Sequence, residues 1–121
     1  MSVRIGEKLF PAEYMKSPEE KMKGMMGRDS LNGCMVFDMG KGHHKFWMKD
    51  CLIPLDIVFV LNGRISRIHP NCPPADPHEL NPTSYSGIGD HVIEFPAGAA
   101  SNWKTGDRVS MYLGTPMNPV K

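Results

Sequence analysis

Leu55-Asp56-Ile57-Val58-Phe59-Val60-Leu61, followed at once by Asn62-Gly63 and Arg64–His69, is the stretch on which the fold turns. It is a short run dominated by β-branched and aromatic residues, and turn residues bound it, so it reads as a strand. Asn62-Gly63 is the dipeptide favoured where both central residues of a hairpin turn take positive φ, so Arg64–His69 reads as the returning strand. Leu55 to Val60 is apolar on both alternating faces except at Asp56. That is the pattern of a central strand covered on both sides.

Working outward, further strands are expected at Cys34–Asp38, at Lys45–Lys49 after a turn at Gly40–Gly42, at His91–Phe95 and at Arg108–Leu113. Pro70 to Asp90 is rich in Pro, Asn, Ser and Gly and reads as one long loop. Pro96 to Gly106 reads as a helical turn. A single helix is expected at about 17–26. Ser17 is a suitable N-cap, Pro18 fits the first helical position, and Glu20 completes a capping box. Met22, Met25 and Met26 would then form one apolar face that covers part of the central strand, with Gly27 ending the helix. Gly24 inside such a helix costs up to about 1 kcal/mol relative to Ala, which suggests a close backbone approach. The expected fold is mainly β (α+β): a small antiparallel barrel or sandwich with one short N-terminal helix. The 121 residues suit one domain, with a core at about 3–113 and a fraying tail at 114–121.

Composition narrows the function classes. A formal net charge of +1, with basic residues dispersed among acids, gives no electrostatic case for nucleic acid or an anionic membrane. The longest apolar run is far short of the roughly 20 residues that span a bilayer, and the N-terminus has no leader-like apolar stretch, so a cytoplasmic location is expected. Cys34, Cys51 and Cys72 form no CxxC unit and read as reduced thiols. The ten methionines suggest a pliable core or contact surface.

The chemistry-bearing residues point to binding more than to catalysis. His69, Cys72, Asp76 and His78 fall within ten residues, and His43-His44 precede a strand. Zinc needs about four converging ligands with paired spacing in both halves, and His69-x-x-Cys72 is one half alone, so no metal and no cofactor are expected. A cysteine nucleophile needs a base and an oriented third group. A neighbouring lysine could lower the pKa of Cys51, but a catalytic role is not expected there, and neither a nucleophile elbow nor a phosphate loop occurs. Asp56 carries more information, because a carboxylate in an apolar strand costs several kcal/mol unless it is paired or hydrogen-bonded. One reading is structural, with backbone amides, Lys49 or Arg28 as its partners. The other places Asp56 and Lys49 in a polar pocket floored by Trp47, with Glu94 as a second carboxylate.

Several segments resemble the DUF192 family. Lys23-Gly24-Met25-Met26-Gly27-Arg28 looks like its helix-end motif and Gly33-Cys34-Met35-Val36-Phe37 like the strand that follows. Phe46-Trp47-Met48-Lys49-Asp50-Cys51-Leu52-Ile53-Pro54-Leu55-Asp56-Ile57 is similar to its most distinctive stretch. Val92-Ile93-Glu94-Phe95-Pro96-Ala97-Gly98 and Gly106-Asp107-Arg108-Val109 match its C-terminal motifs in order and spacing. Two departures are visible: Asp50 stands where the family usually has Asn, and the segment around Asn81–Gly89 is altered. The resemblance implies a small β-rich fold and brings no activity with it. Trp47, Lys49, Asp50, Asp56 and Glu94 are therefore the candidate ligand-binding residues of a non-catalytic module. Its partner would be a polar small molecule, a sugar or a protein segment. The alternatives are a structural or assembly protein, such as a phage virion component that oligomerises, and a hydrolase using Asp56 and Glu94 as acid and base.

Overall fold

The strand read at Leu55–Leu61 sits near the middle of a curled sheet. The computed structural model describes residues 1–114, so the tail expected at 114–121 lies almost wholly outside the described residues. The elements in chain order are β1 (Ser2–Ile5), β2 (Lys8–Met15), α1 (Pro18–Lys23), β3 (Cys34–Trp47), β4 (Leu55–Leu61), β5 (Arg64–Cys72), β6 (Ser84–Pro96) and β7 (Val109–Tyr112). The seven strands form one sheet in the order β5-β4-β6-β3-β2-β1-β7, antiparallel throughout except for the parallel β2–β3 pair. The sheet curls into a half-barrel. A bridge between Arg64 and Arg108, with Ile65 N–H donating to the Asp107 carbonyl at 2.9 Å, ties the β4–β5 turn to the approach to β7.

Both faces are buried along β4, as its pattern requires, and along Cys34–Phe37 of β3 and Val92–Phe95 of β6 beside it. On one face Cys34, Val36, Val58, Val60, Ile93 and Phe95 meet Val3, Ile5, Ile65 and Val109; residues from six strands converge here because the sheet bends around them. On the other face Met35, Phe37, Leu55, Ile57, Phe59 and Val92 are covered by Met25, Leu31, Met48, Cys51 and Cys72. Most of the cover comes from connecting segments, with Cys72 added by the end of β5. Helix α1 buries none of its own residues.

Four expectations need correction. First, the helix is six residues long and ends before Gly24, whose φ of +43° and ψ of −125° leave the helical region. Its start is as read: the Ser17 hydroxyl accepts Glu20 N–H at 3.1 Å, and the Glu20 carboxylate accepts Ser17 N–H at 2.9 Å. The break at Gly24 separates the methionines, so that Met22 is 77% exposed while Met25 is buried against the sheet. Gly24 itself packs on Phe37, since a Cβ there would lie 3.1 Å from the ring, which is the close approach its presence suggested.

Second, Cys34–Asp38 and Lys45–Lys49 do not form two strands joined by a turn. They belong to one strand, β3, ending at Trp47, and Gly40–Gly42 falls at an irregularity between Asp38 and Gly42 where the register against β6 shifts. Third, the long loop shrinks to residues 73–83, because β5 runs to Cys72 and β6 begins at Ser84. The glycines that gave this region its loop-like composition serve a strand. A Cβ at Gly87 would lie 2.7 Å from the Phe59 ring, so only glycine lets β6 cross there. Fourth, the β1–β2 hairpin had no counterpart among the expected strands. Pro-interrupted β2 is half-exposed and shows little alternation. Residues 96–103 do form successive turns, as expected. Among the described residues no helix is long and apolar enough to cross a membrane.

Candidate functional site

Strand β6 places Ile93 and Phe95 on one face of the sheet and Glu94 on the other, by the two-residue alternation of a strand. Glu94 lies opposite Met35 on β3 and Ile57 on β4, both fully buried, so its carboxyl enters an apolar layer. It is 4% exposed, and its Oε1 atom has no hydrogen-bond partner. Burial alone pushes its pKa up to about 8, so the group is mostly a neutral acid at neutral pH.

Above Glu94 opens a pocket of about 630 Å³, whose lining is mainly apolar. One wall is α1 and the turn after it, with Met22, Gly24, Met25 and Met26; the other is β3 and its exit, with Phe37, Met39, Phe46, Trp47, Asp50 and Cys51. The walls are stitched together by an isolated bridge between Met26 and Cys51 and by Gly27 N–H donating to the Asp50 carbonyl at 2.9 Å. Asp50 has a φ of +59°, a left-handed conformation that Asp and Asn accept more readily than most residues.

Trp47 is 47% exposed at the mouth, and the Lys49 ammonium stands 5.3 Å from the centre of its ring. Lys21, Lys23 and Lys45 also line the pocket, whereas Asp50 is the carboxylate at its rim. Cys51 is buried in the wall, where desolvation, with the Glu94 and Asp50 charges adding to it, raises its pKa to about 11 and holds it as a thiol.

Trp47, Lys49, Asp50 and Glu94 thus share one pocket, and Asp56 does not. Asp56 is 1% exposed and points to the opposite face of the sheet, where Oδ1 accepts Asn71 N–H at 2.7 Å and Oδ2 accepts Gly98 N–H at 3.0 Å and Ala100 N–H at 2.8 Å. Its partners are backbone amides, the structural reading. Lys49 stands over Trp47, and Arg28 pairs with Glu13 through two contacts of 2.8 and 2.7 Å. Because Asp56 faces Phe95 across the β4–β6 pair and Ile57 faces Glu94, the two carboxylates lie on opposite sides of the sheet. They do not converge on one substrate, as an acid–base pair must.

The histidine and cysteine cluster is spent on structure: a His69 ring nitrogen contacts the Ser86 carbonyl at 2.7 Å, and Cys72 is buried in the core. Among the described residues no group of three or more His, Cys, Asp or Glu side chains is placed to hold a metal ion. Sequence reasoning missed Phe37, Met25, Met26 and Cys51 as pocket residues. The available signal was the pair of segments Lys23–Arg28 and Phe46–Ile57, which are distant in sequence and meet as the two walls.

A family model matches residues 1–111. The chain belongs to the DUF192 family, described as "Uncharacterized ACR". Among solved structures the chain is similar to a protein of unknown function from Novosphingobium aromaticivorans, 30% identical, with a TM-score of 0.78 over 91% of this chain and 84% of that one. A second structure, described as a "putative transcription regulator" from Sinorhizobium meliloti, is 26% identical with a TM-score of 0.78, over 90% of this chain and 91% of that one. No curated protein matches the chain. Both likenesses extend over most of this chain, so the fold is shared with these two structures.

Proposed function

We propose that this DUF192 chain is a non-catalytic binding module that holds a polar small molecule or a segment of a partner in the pocket above Glu94. The observation that carries the reading is the Glu94 carboxyl itself: buried, lacking a partner at Oε1, and part of the lining of an otherwise apolar pocket. An unmet buried polar group costs about 1–3 kcal/mol, and a bound ligand that completes its hydrogen bonding recovers part of that cost. Apolar walls with a few convergent polar groups are the usual composition of a small-molecule site. The half-exposed Trp47 with Lys49 over its ring adds an aromatic platform and a charge at the mouth. Cys51, held as a thiol, argues against covalent chemistry at that position.

The two tryptophans provide the test. Trp47 is at the pocket, whereas Trp103 packs edge-on against Phe10 and Phe95 on the other face. Both indole N–H resonances would be followed while glucose, N-acetylglucosamine, glycylglycine and short-chain ketones and carboxylates are titrated in. A saturable shift of Trp47 and of the amides of residues 24–26 and 49–51, with Trp103 unmoved, is the expected result. Titrations that leave Trp47 unmoved across all these classes, or that move residues elsewhere, would overturn the reading.

A further inference from the structure

The pocket is polarised along its depth. Glu94 is at its buried end, 4% exposed, and desolvation is what raises its pKa. Lys23, Lys45 and Lys49 are exposed, so they stand at the mouth, opposed there by Asp50. Met25 and Phe37, both buried, and the half-buried Met26 supply apolar lining. A cation entering such a site meets a positive mouth and a floor without charge. An anion driven to the floor would lose its solvation and find no countercharge.

We infer that the ligand is an organic anion with two unlike ends: a neutral hydrogen-bond acceptor such as a carbonyl, which meets the unpartnered carboxyl of Glu94, and an anionic group held among the lysines at the mouth, joined by an apolar body along the methionine wall. This inference rests on the binding reading above and names the ligand class for the same site. The methionines, flexible and polarisable, adapt to the body of the ligand, so the class is set by its two ends more than by its shape. A pocket of this volume is roughly 10 Å across if taken as a sphere, the length of a seven- or eight-carbon chain.

The class makes binding depend on pH through Glu94. The ionisable groups around it are the Cys51 and Cys72 thiols, both raised to about 11, with Asp50 and the lysines farther out; its strand neighbours Met35 and Ile57 do not titrate. Glu94, raised to about 8, changes state between pH 6.5 and 9, from a donor to a carboxylate that repels the carbonyl.

The experiment titrates 7-oxooctanoate into the full chain by calorimetry, alongside octanoate (no carbonyl), octan-2-one (no charge) and 7-oxooctyl-trimethylammonium (opposite charge). At pH 6.5 the keto acid should bind at least fivefold more tightly than each of the three. Its affinity should fall about tenfold by pH 9, as Glu94 loses its proton. Glu94→Gln, whose amide remains a donor, should flatten that pH profile, and Glu94→Leu should bring the keto acid down to the level of octanoate. Equal or tighter binding of the ketone or the cation would overturn the anion assignment while leaving the binding module intact. Keto-acid affinity that does not change with pH, or equal binding of octanoate, would overturn the role of Glu94. Failure of every probe here and of the wider panel would remove both readings.

Discussion

Asp56 and Ala100, 44 residues apart in sequence, are joined by a 2.8 Å hydrogen bond from the Ala100 backbone N–H to the Asp56 carboxylate, beside a second from Gly98. The carboxylate thereby fixes the turn after β6 to strand β4 and takes Asn71 N–H on its other oxygen. Asp56→Asn keeps the shape but turns an amide NH2 toward at least one of these donors. It should lower unfolding stability by about 2–3 kcal/mol. Urea denaturation reads the loss, and an unchanged midpoint would mean that the anchor is dispensable.

Glu94 makes stability fall as pH rises. Its pKa is raised from an ordinary value of 4.5 to about 8 in the folded chain, so the folded state holds a proton that the unfolded state has released between those two values. The favourable state is complete below about pH 4.5, and stability declines by up to about 1.4 kcal/mol per pH unit until it levels off near pH 8. Glu94→Gln should remove this slope and be the more stable protein at pH 9. Denaturation midpoints of the two proteins measured across pH 4.5–9 test it, and parallel curves would show that Glu94 ionises at its ordinary value.

Trp47 and Lys49 lie at the mouth of the pocket and support little of the fold. Lys49→Ala should cost at most about 1 kcal/mol, because its partner is an exposed ring and no buried charge is stranded by its loss. Trp47→Ala should cost far less than the about 3–5 kcal/mol of a core tryptophan. Both should weaken ligand binding. Melting temperatures check the first half, and a drop on the core scale for either variant would make this segment a structural keystone.

The three thiols should be slow to react. Cys34, Cys51 and Cys72 are free and buried, with pKa values raised by desolvation to about 12, 11 and 11. A thiol reagent at pH 8 should label the native chain over hours and count three groups at once after denaturation. Replacement of Cys34 by Ser sets a hydroxyl in an apolar layer and should destabilise the fold more than replacement by Ala. Rapid labelling of the native chain would place a thiol at the surface.

By itself the sequence determined what local chemistry controls. The hairpin at Asn62-Gly63, the capping box at Ser17 and the burial of β4 on both faces follow from turn propensity, capping and side-chain alternation, each settled within a few residues. Trp47, Lys49 and Asp50 were legible as a group because one short segment carries them. The tertiary structure decided the rest, for reasons of distance and packing. Gly87 reads as loop until Phe59 occupies the space its side chain would need. Met25 reads as the face of a helix until Gly24 turns it onto the sheet. Asp56 and Glu94 looked alike as carboxylates in apolar strands. The register of β4 against β6 sent one to a set of backbone amides and left the other unpartnered beneath a pocket, and that register depends on pairing between residues almost forty positions apart.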